Sequence, residues 1–197
     1  EELSKDIQRL ERDIYTQAGE EFNLSSPKQL GPILFDKLKL VDKPKKTKTG
    51  QYSTAEDVLS YLSKDHQIVA DILEWRSYQK LKSTYVDALP KLVNPATGRI
   101  HTHYNLTGTA TGRMSSTDPN LQNIPVRTDV GRRIREGFVP GTGGWKLVVA
   151  DYSQIELRLI AEISKDDAMM EAFIAGNDFH RATAAKVYGV PYESVTD

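Results

Sequence analysis

The sequence contains no cysteine, which excludes a disulfide framework and thiol chemistry. It has no apolar run near the length of a membrane span and no secretory leader, so no membrane partner is expected. Charge of one sign is scarce as well. The formal net charge is -1, which excludes a uniformly basic protein but leaves a local basic groove open, because binding depends on where charge sits. What is there is ordinary: 197 residues, 39% hydrophobic and 27% charged. That is enough for one large domain or two small ones with a sizeable core.

The chain is organised around WKLVVADYSQIELRLIAEIS, residues 145–164. Trp145, Leu147 and Val149 would face one side of an extended strand, with Val148 and Ala150 on the other. Apolar residues on both faces predict a strand covered on both sides. From Ile155 onward Leu159 and Ile163 recur at helical spacing. Asp151 falls between the two elements. A carboxylate fixed there can hold a metal or a catalytic proton, or it can simply cap the helix.

Upstream, Leu3, Ile7, Leu10 and Ile14 form a helical seam with Gly19 as its terminator. Ser26, Pro27 and Gln29 open a second helix by reciprocal capping, with Ile33, Leu34 and Leu38 on its buried side. Residues 39–50 then carry Lys39, Lys43, Lys45, Lys46 and Lys48 against a single Asp42. Pro44 and Gly50 make this a flexible loop, suited to meeting phosphates or simply to being solvated. Ser53 to Asp57 carry overlapping caps for a further helix, with Val58, Leu62, Val69 and Leu73 as its intermittent apolar face and His66 as a structural histidine.

Residues 75–90 interleave aromatics with Arg76, Lys80 and Lys82, which suits either a nucleic-acid surface or a helix end packed on a core. Asn94 to Gly98 read as a turn, and residues 99–105 alternate as a strand with His101 and His103 on one face. No third metal ligand follows that pair at convincing spacing. Residues 109–138 lack core periodicity yet hold Arg113, Asn120, Gln122, Asn123, Arg127, Arg132, Arg133 and Arg135. Guanidinium and amide groups of this kind touch phosphates, sugars and minor-groove acceptors. Asp178 and Gly189 bracket a last helix with His180 and Arg181 in its first turn, near backbone donors that attract phosphate.

Three stretches taken together, TGRMSSTDPNLQNIPVR from Thr111, DYSQIELR from Asp151 and DFHRATA from Asp178, resemble the polymerase module of family A DNA polymerases, the bacterial DNA polymerase I group. The resemblance covers the whole chain and implies an α+β fold. Residues 1–90 would be a mostly helical thumb with a lysine-rich tip, and residues 91–197 the first part of an antiparallel-sheet palm and the start of the fingers. It implies primer extension with deoxynucleoside triphosphates on primer-template DNA, in the bacterial cytoplasm at the nucleoid. Two Mg2+ ions would serve the reaction, with Asp151 and the Tyr152 carbonyl as ligands. Gln154, Glu156 and His180 would bind the nucleotide, Glu156 as a steric gate against a ribose 2'-hydroxyl. Lys45, Lys46, Lys48, Lys80, Lys82, Arg113, Gln122, Asn123 and Arg127 would lie along the DNA, with Arg113 at the minor-groove edge of the primer terminus.

Leu106 and Glu162 depart from the glutamine and histidine common at those places in the family. The resemblance also implies that the sequence stops before the fingers helix and the palm hairpin with the second catalytic carboxylate. The remaining polymerase segment, in this or a companion chain, is therefore an expected partner. A primer-template-binding module without catalysis is the alternative.

Overall fold

The computed structural model describes residues 2–126, 128–141 and 143–196. The chain divides into two compact units, Glu1–Val139 and Pro140–Asp197. The architecture is α+β: mostly helical, with a small two-stranded antiparallel sheet among the described residues.

The first unit is built on helix α1 (Glu2–Ala18) packed against α4 (Gln67–Leu81). The seam expected in the sequence is the buried face of α1: Ile7, Leu10, Ile14 and Ala18 meet Ile68, Val69, Ile72 and Trp75 in one core. Leu10 and Ile14 are almost fully enclosed, so truncating either to alanine would cost about 2–5 kcal/mol. Trp75 keeps its indole N–H satisfied by donating to Glu11 Oε1 at 3.0 Å. Gly19 ends α1 at φ +73°, a left-handed conformation that glycine adopts without a Cβ penalty.

Helix α2 (Pro27–Pro32) runs directly into a π-helical turn, Ile33–Lys37, that buries Ile33, Leu34 and Phe35. Pro27 occupies the first turn as expected, but the reciprocal cap does not form. Ser26 makes no side-chain cap bond, and Gln29 Oε1 instead accepts from the Asn23 backbone N–H at 2.7 Å. The single helix expected after Ser53 is two, α3 (Glu56–Leu62) and α4. An unbroken helix would carry Asp65 and His66 onto the buried face. Interrupting it at residues 63–66 releases them and realigns Ile68 and Ile72 with the core.

Past α4 the chain makes a second π-helical turn, Lys82–Val86, and a 3-10 turn, Leu89–Leu92. Here a smaller cluster forms around Leu81, Tyr85 and Leu89, lined by Ile100, Leu121, Ile124, Val130, Ile134 and Phe138. Residues 109–138 thus do contribute to a core, contrary to their aperiodic sequence. Strands β1 (His103–Asn105) and β2 (Ser115–Thr117) pair antiparallel, with Tyr104 opposite Ser116. Helix α5 (Asp129–Glu136) follows, capped by Thr128.

The second unit holds α6 (Ile155–Ser164), α7 (Asp167–Ile174), α8 (Phe179–Tyr188) and a 3-10 turn, Tyr192–Ser194. The strand expected over residues 145–150 does not form. No strand among the described residues pairs with it, and a lone extended segment has nothing to satisfy its edges. Its apolar side chains are bare rather than covered, Val148 and Val149 being 90% and 91% exposed. The predicted helix after it does form. Its Ile155, Leu159 and Ile163 stripe is nevertheless also exposed, and only Ala161 of α6 is buried.

Candidate nucleic-acid and nucleotide site

In the second unit, the expected site residues sit at the N-terminal ends of two helices. Asp151 and Tyr152 are exposed on the non-helical stretch ahead of α6. Asp151 is not the cap of that helix. Gln154 occupies the cap position, in a left-handed conformation at φ +52° and without a side-chain cap bond. Glu156 lies in the first turn of α6, where a carboxylate is favoured by the helix dipole. His180 is exposed in the first turn of α8.

A hydrogen bond joins these two helix starts. Gln154 Nε2 donates to Asp178 Oδ2 at 2.5 Å. The other oxygen of Asp178 accepts from the Arg181 backbone N–H at 3.0 Å and so caps α8. The Arg181 N–H, with the Gln154 amide adding to it against the opposing effect of partial burial, holds the Asp178 carboxyl below its ordinary range. Tyr192 backs the junction. Its hydroxyl accepts from the Asp178 backbone N–H at 2.9 Å, and the Arg181 guanidinium lies 4.8 Å from its ring centre. Gly189 ends α8 at φ +65°, as expected. Asp178 was legible as a cap, but its link to Gln154 was not, because a 24-residue separation leaves no periodic signal.

Among the described residues, no three His, Cys, Asp or Glu side chains converge on a point that could hold a metal ion. Asp151 and the Tyr152 carbonyl are nevertheless hard oxygen donors. They fit part of a magnesium site, since that ion takes one or two carboxylates and fills the rest of its shell with phosphates and water.

In the first unit, the lysine-rich segment folds back on itself as a hairpin. Lys46 pairs with Tyr52 across it, and Thr47 N–H donates to the Gln51 carbonyl at 2.8 Å. Tyr52 fastens the hairpin to the core by packing on Phe35, with 5.2 Å between ring centres, and by donating to Asp36 at 2.5 Å. Lys45 pairs with Asp57 at 3.1 Å, and Lys46 Nζ lies 5.0 Å from the Tyr52 ring centre. Lys48 is exposed in the turn at the tip. On α4, Lys80 is exposed, whereas Arg76 is half-buried and donates to the Thr54 carbonyl at 2.6 Å. Lys82 pairs with Asp87 at 2.6 Å.

Around β2, Gln122 Nε2 donates to the Met114 carbonyl at 3.2 Å, which sets Gln122 beside the backbone that follows Arg113. Buried Ser116 shapes this loop by accepting from the Leu121 N–H at 2.9 Å. Asn123 is held by Tyr85, whose hydroxyl donates to its carbonyl at 2.6 Å. Arg127 lies outside the described residues. Arg133 pairs with Glu2 at 2.9 Å and Arg132 with Asp129, so these two serve the helix surface. The ring of His101 bonds the Thr97 hydroxyl at 2.7 Å.

Residues 1–197 match the family description "DNA polymerase family A" from end to end. The chain belongs to DNA polymerase family A. DNA polymerase I of Pseudomonas aeruginosa is 57% identical over 196 residues, covering 99% of this chain and 21% of the relative. DNA polymerase I of Geobacillus stearothermophilus is 53% identical over 195 residues, covering 99% and 22%. The chain therefore spans about a fifth of the length of these family A relatives. The solved POL domain of Pol1 from M. smegmatis, in complex with a DNA primer-template and dNTP, has the same fold at a TM-score of 0.90 and 47% identity. It is matched over 99% of this chain and 34% of its own. The helical fold with its small sheet corresponds to the thumb and part of the palm in this family. No helix among the described residues is long and apolar enough to cross a membrane.

Proposed function

We propose that the chain supplies the thumb, residues 1–90, and the first part of the palm and start of the fingers, residues 91–197, of a DNA-directed DNA polymerase. That enzyme would extend a primer 3'-hydroxyl with deoxynucleoside triphosphates in the bacterial cytoplasm. The observation that carries this reading is the Asp151 carboxylate, held exposed ahead of α6 and relieved of capping it, in a chain of family A. Asp151 and the Tyr152 carbonyl would hold Mg2+, which when bound would polarise phosphoryl oxygens and favour the ionised hydroxyl nucleophile. Glu156 would occupy the volume of a ribose 2'-hydroxyl. His180, exposed in the first turn of α8, would meet the triphosphate. Lys45, Lys46, Lys48, Lys80, Lys82, Arg113, Gln122, Asn123 and Arg127 would follow the duplex, with Lys45, Lys46 and Lys82 contributing less than Lys48 because neighbours engage them.

A second reading, a primer-template-binding module without catalysis, draws on the lack of three convergent acidic groups among the described residues. The two separate in one assay. The 197 residues alone should bind primer-template yet fail to extend it, and adding the remaining fingers and palm should restore extension. Ordinary turnover by the 197 residues alone would overturn the need for a partner segment. Continued inactivity of the assembled protein would favour the binding module.

A further inference from the structure

We infer that Gln154 is a positioning residue that acts through Asp178 on the start of α8, rather than a group that touches the nucleotide. The inference rests on the polymerase reading for its consequence, but its structural half stands alone.

The backbone of Gln154 is left-handed at φ +52° and ψ 38°, a region non-glycine residues occupy only when their surroundings hold them there. Its own side chain supplies the hold. The amide nitrogen donates at 2.5 Å to Asp178 Oδ2, so one of its two N–H donors is committed and the side chain is aimed at Asp178. The two oxygens of Asp178 are divided between Gln154 and the Arg181 N–H. The Asp178 backbone N–H goes to Tyr192, and Arg181 also donates to the Tyr192 carbonyl at 3.4 Å. The carboxylate is thereby fixed in its capping rotamer from more than one side.

The choice of partner is chemically pointed. An arginine or lysine at 154 would hold the carboxylate equally well but would cancel its charge. A neutral amide leaves the anion to complement the positive end of α8. The bond ties the backbone three residues after Asp151 to the residue two before His180. A slack link would let these two groups drift independently, and displacements of about 1 Å can cost on the order of a hundredfold in an oriented reaction.

The test uses the full-length protein that carries this segment, with Gln154→Ala, Asp178→Ala, their double variant and Gln154→Lys. Hydrogen exchange at the Arg181 amide reads the cap, and steady-state kinetics read KM and kcat for a deoxynucleoside triphosphate on primer-template. Gln154→Ala should speed Arg181 exchange about fivefold, the loss expected for weakening one cap, and should raise KM more than it lowers kcat. In the Asp178→Ala background, removing Gln154 should change neither readout further.

Gln154→Lys supplies the rescue. It keeps an N–H donor for the Asp178 carboxylate, so Arg181 exchange should stay close to the parent and well below that of the alanine variant. If Gln154→Ala leaves Arg181 exchange unchanged, or still raises KM when Asp178 is alanine, Gln154 contacts the nucleotide directly and the inference is wrong. Should Asp178→Ala fail to fold, Gln154→Lys decides, and Arg181 exchange as fast as in Gln154→Ala overturns it. If the parent protein incorporates no nucleotide at all, the polymerase reading fails while the exchange result still judges the link.

Discussion

Tyr85→Phe isolates the bond that anchors the Gln122–Asn123 loop to the helical core. The ring is 7% exposed and its hydroxyl donates to the Asn123 carbonyl at 2.6 Å, with the Asn123 side-chain oxygen at 3.2 Å. Phenylalanine keeps the ring, so no cavity term of the kind seen on truncation arises. What is lost is one hydrogen bond, worth a net of about 1 kcal/mol. Asn123 is exposed, so water can recover its carbonyl and the full penalty for an unsatisfied buried acceptor, about 1–3 kcal/mol, does not apply.

The expectation for Tyr85→Phe is therefore about 1 kcal/mol, or a fall in Tm of roughly 4 °C for a unit of this size. Urea unfolding followed by Trp75 fluorescence measures it, in a Trp145→Phe background so that only the buried indole reports. Because the nearer acceptor is backbone, Asn123→Ala should leave the effect of Tyr85→Phe intact, with a coupling energy below about 0.5 kcal/mol. A cost for Tyr85→Phe below about 0.3 kcal/mol would refute the anchoring role. Disappearance of that cost in the Asn123→Ala background would move the bond to the side chain.

Replacing Lys45, Lys46 and Lys48 with alanine should weaken duplex binding alike for unrelated sequences. A salt titration should show the slope reduced by about one unit for each phosphate no longer neutralised, and most of that change should already appear in Lys48→Ala. In the assembled enzyme, Glu156→Ala should raise ribonucleotide incorporation relative to deoxynucleotide, whereas Asp151→Ala should suppress both. An unchanged ratio in single-turnover assays of Glu156→Ala would remove the gate assignment. Asp178 has a lowered carboxyl pKa in the folded chain, so its contribution is complete above the unfolded value of about 3.9 and is lost as pH falls through the lower folded value. Protection of the Arg181 amide should hold from neutrality to about pH 4 and decline only below it. A loss centred well above pH 4 would refute the assignment of the cap to Asp178.

What the sequence disclosed follows from which signals are local. The α1 seam, Pro27 in the first turn of α2, and the Asp178 and Gly189 ends of α8 each depend on residues within a turn or two of one another. The cluster around Tyr85 was hidden because Leu121 and Ile124 reach it from irregular backbone, where burial leaves no period. The hairpin shape of the lysine-rich segment was hidden because Tyr52, not any lysine, holds it to the core. For residues 145–150 the pattern was a true strand pattern, but periodicity describes faces and cannot provide a neighbouring strand. The site motifs placed Asp151, Gln154, Glu156 and His180 in one unit, while the bond between Gln154 and Asp178 needed the folded chain.

The bare run from Trp145 to Ala150 has a consequence for handling and for synthesis alike. A short, β-branched, proline-free segment with unsatisfied edges is a template for pairing with copies of itself. Lys146 within the run and Asp151 at its end place a charge at either side of Leu147, Val148 and Val149, the arrangement by which proteins keep such stretches from aggregating. Concentrated preparations should therefore tolerate mutations in the neighbouring helices far better than Lys146→Val, which removes the upstream guard and should send the protein into β-rich assemblies.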